Sequence, residues 1–348
     1  MTAPVYRWQP STAEIAARAG IAVEDVIRFD HNTSPAAPPW AAPAAADASD
    51  RLNEYPAADY SPLREAVAAH HGVDPDQVVP GAGADELILL AAKAFLEPGD
   101  RAVADVPAYP LYRIATLQHG GDFVGVARGD DLAFPTSALA DAAACSAVTW
   151  LCVPHNPVGD RPSDQDLDRV RNAASGVVVV DAAYAEFTGD RWSDRIADDP
   201  DLVVLGTLSK AFGLAGIRVG YALTSPRHAA ALHAVRPPGS ISTVSAAIAV
   251  RALQDPSWMY ANVAVLRAAR ADLADRLTRI GLDVRPSTTN FLLAPVPDAS
   301  DVATRLMDRG IVVRAYAADH PLADHLRFTV RSPGEHDRLV AELEEALG

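Results

Sequence analysis

Lysine is almost missing from this chain. Of 30 Lys and Arg residues among 348, only Lys93 and Lys210 are lysines. Cysteine is as scarce: Cys145 and Cys152 stand alone and form neither a CxxC nor a metal-ligand spacing. That pattern excludes a disulfide scaffold and a cysteine-based metal site, and it reads as two buried thiols in a reducing cytoplasm. No run of about 18 apolar residues occurs and no basic-then-apolar leader opens the chain, so neither a membrane span nor a signal peptide is expected. Positive charge is in deficit as well. The formal net charge of −15 argues against nucleic acid as the main ligand. No internal repeat is evident.

What is present is a chain long enough for two domains, with 49% hydrophobic and 22% charged residues. The Pro-rich stretch "SPAAPPWAAP" (34–43) reads as an extended linker or arm. From about 60 to 225, helical patterns alternate with short apolar runs, as in α/β units. "SPLREAVAAHHG" (61–72) predicts a helix with Ser61 as N-cap, Pro62 at the first helical position and Gly72 as stop. "ADELILLAAKAFLEPGD" (84–100) predicts a second helix, containing Lys93 and ended by Pro98-Gly99. Strands are expected at 101–107, 122–127, 147–153, 176–184, 202–208 and 219–223. Several are apolar throughout, which suits a mostly parallel sheet covered on both faces. After "VRPPGS" (235–240) a long helical region (about 243–280) leads to strands at 290–296, 310–316 and 325–330 and a closing helix. The pattern divides the chain into an N-terminal segment (1–45), a large domain (46–240) and a smaller α+β domain (241–348).

Ligands of open α/β sheets bind at the carboxyl ends of strands, and polar residues gather at those positions here. "VVPGAGADE" places Gly81, Gly83, Ala84 and Asp85 between a strand and a helix start, where backbone N–H groups can hold an anion. "WLCVPHNPVG" ends a strand at Asn156, a turn residue that also offers an amide donor. "VVVVDAAYAEF" drives Asp181 to the end of four valines with Tyr184 three residues on. A buried acid there needs a cation or a donor. "TLSKAFGLAGIRVGY" (207–221) then brings Thr207, Ser209, Lys210 and Arg218 together among closely spaced small residues. A surface lysine can be exchanged for arginine, as nearly all have been in this chain. A lysine whose neutral amine attacks a carbonyl cannot. An amine, an acid able to hold a ring nitrogen protonated, phenol and amide donors and an anion cradle are what pyridoxal phosphate requires of a protein.

In these residues the chain resembles the fold-type-I pyridoxal-phosphate aminotransferases, specifically the histidinol-phosphate aminotransferase branch of class II, from about Ile27 to the C-terminus. "TLSKAFGLAGIRVGY" is the most specific match. "YP" (55–56), "GADE" (83–86), "PAYPLY" (107–112), "NPVG" (156–159), "DAAY" (181–184), "NF" (290–291) and "LRFTV" (326–330) follow the family in order. The resemblance implies that Lys210 forms the internal aldimine and later carries the proton between Cα and the cofactor. It implies that Asp181 pairs with the pyridine nitrogen, that Asn156 and Tyr184 bond the ring oxygen, and that Tyr109 stacks on the ring. Gly83, Ala84, Asp85, Thr207, Ser209 and Arg218 would hold the phosphate. Tyr55 would reach the cofactor of a partner subunit in a homodimer, and Arg327, with Arg314 as a second candidate, would grip the anionic group of a small amino-acid or amino-phosphate substrate.

The chain departs from the family pattern at Ala182, where a glutamate is usual, at His155 and Val158, in "NTSP" (32–35) and at Arg331. None of these removes an implied cofactor contact, but the last two bear on the substrate. The leading expectation is a transaminase. A threonine-phosphate decarboxylase or a broad or aromatic aminotransferase would use the same scaffold. A DNA-binding regulator built on such a domain would need a helix-turn-helix pattern, which this sequence does not show. A non-catalytic relative would lack Lys210 or Asp181, and both are present.

Overall fold

The computed structural model describes Tyr6 and residues 8–348. The chain opens with helix α1 (Thr12–Ala19), closed at its start by a Ser11/Glu14 capping box, and strand β1 (Ile27–Phe29). Helix α2 (Ala41–Ala48) follows. The extended arm expected at 34–43 therefore stops at Trp40. Its alanine-rich end favours helix, and Pro43 sits in the first turn, where no intrahelical N–H bond is lost. Helix α3 (Ser61–His71) ends at Gly72 in the left-handed conformation, as expected. Its start differs by one residue. Tyr60, at φ 52°, is the N-cap and Ser61 lies inside the helix, its N–H taken by Asp59 Oδ1 at 3.1 Å.

The α/β alternation then runs as the sequence predicts: β2 (Val78–Gly81), α4 (Gly83–Phe95), β3 (Arg101–Val106), α5 (Pro110–Gln118), β4 (Asp122–Ala127), α6 (Thr136–Ala143), β5 (Val148–Cys152), α7 (Asp164–Ala173), β6 (Val177–Asp181), β7 (Leu202–Thr207), β8 (Gly220–Thr224) and α8 (Pro226–Val235). The helical region after residue 242 is two helices rather than one, α9 (Thr243–Gln254) and α10 (Ser257–Arg279). Pro256 supplies no N–H to continue the ladder, and Asp255 Oδ1 instead accepts from Ser257 N at 3.2 Å. Strand β9 (Phe291–Pro295), α11 (Ala299–Asp308), β10 (Ile311–Val313), β11 (His325–Thr329) and α12 (Pro333–Leu347) complete the chain.

The central sheet has seven strands in the order β2-β8-β7-β6-β5-β3-β4. Strand β8 runs antiparallel to both β7 and β2, and the other pairings are parallel. Alternate strand residues feed two cores. Val178, Val180, Val204 and Leu223 face α3, α6, α7 and α9, while Val177, Val179, Val203 and Ala222 face α4, α5 and α8. Burial on both faces explains why these strands read as unbroken apolar runs. A third core surrounds two two-stranded sheets, β1-β10 and β11-β9, with α11 and α12. Helix α10 bridges the cores, giving Met259 and Val263 to the first and Leu273 and Leu277 to the third. Asp181, Thr207 and the turn after Cys152 therefore emerge side by side, at the carboxyl ends of β6, β7 and β5.

Candidate active site

A cavity of about 240 Å³ opens at those strand ends. The residues expected from the sequence meet there: Ala84, Asp85, Tyr109, Asn156, Asp181, Tyr184, Thr207, Ser209, Lys210 and Arg218 all line it. They come from segments as far apart as residues 84 and 218, and only the parallel sheet juxtaposes them.

Lys210 sits in the turn after β7. Its Nζ donates to His31 O at 3.2 Å. Burial, and then the nearby Arg327 guanidinium, lower its amine to about 8. The group is thus poised to lose its proton near neutrality, as a nucleophilic amine must. Asp181 is held from two sides: Oδ2 accepts from the Tyr112 hydroxyl at 2.6 Å and Oδ1 from Ala183 N at 3.1 Å. Burial nevertheless raises its carboxyl, which the two hydrogen bonds oppose. A buried acid so placed gains most from a protonated ring nitrogen brought into the cavity.

Asn156 and Tyr184 are oriented by their neighbours. Arg327 Nη1 donates to Asn156 Oδ1 at 2.6 Å, which leaves the Asn156 Nδ2 amine as the donor end. Asn32 Nδ2 donates to the Tyr184 hydroxyl at 3.0 Å, so the phenol keeps its own proton to donate. Arg327 is buried, with Nη2 on Asp30 O at 2.8 Å, while its enclosed Nε has no partner among the described residues. Arg314 is joined to Arg327 by an isolated bridge between strands, and its guanidinium lies 5.9 Å from the Tyr316 ring centroid. Neither Arg314 nor Arg327 is among the residues lining the cavity; Arg327 reaches it through Asn156.

The anion cradle is built at the start of α4. No side chain caps that helix, so its first N–H groups remain available. Thr207 Oγ1 and Ser209 Oγ lie 3.0 Å apart, and Arg218, itself at φ 53°, reaches Ser209 Oγ at 3.4 Å. The Asp85 carboxylate holds this arginine, with Oδ2 3.0 Å from Arg218 Nη2, and accepts from the Tyr109 hydroxyl at 2.9 Å. Two glycines allow the approach. A Cβ on Gly83, at φ +83°, would stand 2.6 Å from Arg218 Nη2, and one on Gly220 would stand 2.9 Å from Ala84 N.

Tyr55 is elsewhere, 95% exposed and outside the cavity. Sequence reasoning gave no role to Tyr112, Asn32 or His31. Tyr112 could have been suspected from its place in "PAYPLY", one helical turn after Tyr109. Asn32 opens the "NTSP" stretch that departs from the family pattern, but no local signal reveals its contact with Tyr184, which spans 152 positions. Arg331, a departure that bears on the substrate, is taken up structurally: its Nε pairs with Glu335 at 2.7 Å. His155 is buried in a charged network, with Nε2 3.3 Å from Asp105 Oδ2, to which Arg128 donates at 2.7 Å.

These residues fit pyridoxal phosphate. The cradle supplies hydroxyl, guanidinium and helix-start donors for a phosphate, the acid suits a ring nitrogen, and the amine faces the same space. Fold and site together define a pyridoxal-phosphate-dependent enzyme. The chain belongs to the aminotransferase class I and II family, whose model matches residues 24–343, and it is a transaminase. It is 35% identical to a histidinol-phosphate aminotransferase of Symbiobacterium thermophilum over 336 residues, 94% of this chain and 92% of that protein. The crystal structure of histidinol-phosphate aminotransferase from Sinorhizobium meliloti, in complex with pyridoxal-5'-phosphate, superposes with a TM-score of 0.89 at 26% identity, covering 98% of this chain and 95% of that one. An L-threonine-O-3-phosphate decarboxylase from Porphyromonas gingivalis shares the fold at a TM-score of 0.80 and 21% identity, covering 92% and 99%.

Proposed function

We propose that this transaminase acts as a histidinol-phosphate aminotransferase, exchanging an amino group between an amino-acid donor and a keto acceptor of the imidazole-acetol phosphate type. The observation that carries the reading is the buried pair of Arg327 and Asn156 opposite Lys210. It leaves a guanidinium with an unpartnered Nε beside the reactive amine, suited to a substrate's anionic group. Similarity to relatives named for this activity supports it.

When bound, pyridoxal phosphate supplies an electron sink for the bonds at the substrate's Cα. The chain does the rest. Asp181 would hold the proton on the ring nitrogen. Tyr184 and the Nδ2 of Asn156 would donate to the ring oxygen, and Tyr109 would pack against the ring. The cradle of Gly83, Ala84, Asp85, Thr207, Ser209 and Arg218 would hold the phosphate. Lys210 Nζ would take up the Cα proton and return it. Arg327 orients the substrate, with Arg314 next to it on the neighbouring strand as an auxiliary cation. Tyr55, exposed in the single chain together with Leu52, completes the phosphate site of a partner copy in a homodimer. No described helix is long and apolar enough to cross a membrane, and both cysteines are free. Those two observations support a cytoplasmic enzyme. Cys152 is buried as expected, whereas Cys145 is exposed, contrary to the expectation of two buried thiols.

The test is a substrate screen on the holoenzyme with histidinol phosphate, phenylalanine and threonine phosphate. The proposal requires histidinol phosphate to convert the cofactor to its amine form with the highest kcat/KM. Release of CO₂ from threonine phosphate without that conversion would overturn it in favour of decarboxylation. A preference for phenylalanine would make this an aromatic aminotransferase.

A further inference from the structure

A second cavity, of about 220 Å³, lies on the α3 side of β7 and β8 and shares no lining residue with the first. Its charged and aromatic wall includes His70, His71, Glu186, Trp192 and Tyr221. Ala182 also lines it, at the position where the motif "DAAY" lacks the glutamate usual in the resemblance. The small side chain leaves open the space that a longer one would enter.

The charges around this cavity do not balance. Asp190 is held by Arg161 at 2.8 Å, and Arg191 pairs with Asp194 at 3.2 Å. Burial lowers both His70 and His71, the latter to about 3, so both imidazoles are neutral at working pH. The Tyr221 hydroxyl is engaged by His71 Nε2 at 2.8 Å, and Tyr260 at the rim is largely exposed. Glu186 remains. Its Oε2 is buried without a hydrogen-bond partner, and among the described residues no cation stands within ion-pair reach of it. The Glu186 side chain is partly exposed as a whole, but its enclosed Oε2, facing the cavity without a counter-ion, favours a positive charge there.

We propose that this cavity is a second ligand site, taking a small organic cation whose charge pairs with Glu186. Its apolar wall of Ala185, Val204, Leu223 and Met259 suits an alkyl-substituted ammonium better than a hydrated metal ion. Burial raises the Glu186 carboxyl to about 7, so a proton competes with the ligand as pH falls through neutrality. The site also touches the cofactor cradle from behind. Ala182 adjoins Asp181, Gly206 adjoins Thr207, and Tyr221 adjoins Gly220, which packs against Ala84 N. Occupancy is therefore expected to shift the cofactor's absorbance.

Tetramethylammonium chloride is the probe, because it has no N–H to condense with the cofactor's aldehyde. Calorimetric titration of the holoenzyme should show saturable binding at pH 8 that is about tenfold weaker at pH 6, the ratio set by a carboxyl titrating near 7. Glu186→Gln should abolish it, and neither sodium chloride at equal ionic strength nor neutral tert-butanol should reproduce it. Absence of saturable binding at pH 8, equal binding of tert-butanol, or undiminished binding to Glu186→Gln would overturn the proposal. Should that variant fail to fold, the wild-type profile decides: an affinity unchanged between pH 6 and 8 excludes pairing with Glu186.

Discussion

The sharpest consequence of the site concerns when Lys210 becomes nucleophilic. Its amine falls from 10.5 to about 8, chiefly through burial and secondly through the Arg327 guanidinium. An amine of pKa about 8 is roughly one-quarter neutral at pH 7.5, against about one part in a thousand at 10.5, a difference of roughly 240-fold in reactive form. The perturbation is pH applied to the apoenzyme, and the assay is the initial rate of pyridoxal phosphate capture followed by absorbance. Borohydride reduction and peptide mapping locate the adduct. The rate should climb with pH and level off above about 8.5, with the label on Lys210. Arg327→Gln should move the midpoint upward but not as far as 10.5, because burial, the larger cause, persists. A rate still rising tenfold per pH unit beyond about 9.5 would refute the account, and so would a label on Lys93. An unmoved midpoint in Arg327→Gln would remove the electrostatic part of it.

Two further outcomes follow from groups that support the site. Tyr112→Phe deletes the 2.6 Å bond that opposes the upward shift of Asp181. A hydrogen bond to a charged group contributes about 1.5–3 kcal/mol, so the acid limb of the kcat/KM profile should move to higher pH; an unmoved limb would contradict the coupling. His155 accepts from Val158 N through Nδ1 at 3.4 Å, which anchors the turn that carries Asn156, while its Nε2 lies 3.3 Å from Asp105 Oδ2 without a hydrogen bond. His155→Ala should lower kcat/KM about tenfold while His155→Asn, which keeps a donor and an acceptor, retains most activity; equal losses in both would rule out this positioning role.

Much of this was legible before any coordinates. Strand β7 falls on the apolar run that predicts it, because burial on both faces leaves a local signature, and the closing helix is α12, which starts with a Ser332/Glu335 capping box. The errors were also local. Tyr60 displaced Ser61 as a cap, Pro256 split one helix into two, and the arm turned helical at Ala41. At Tyr60 and Pro256 a backbone constraint outweighs local propensity, whereas at Ala41 the helix propensity of the alanines outweighs the prolines.

The sequence by itself determined the chemistry: one lysine retained where arginine cannot act, an acid at the end of a valine strand, and a glycine turn before a helix. Tertiary structure decided how those groups behave. Tyr112 restrains the acid, Asn32 and Arg327 set which ends of Tyr184 and Asn156 donate, and burial beside Arg327 brings the lysine toward neutrality. Contacts spanning 152 and 171 positions leave no periodicity in the chain. A pKa depends on solvent exclusion and on charges in space, and neither exists until the sheet has brought the strand ends together.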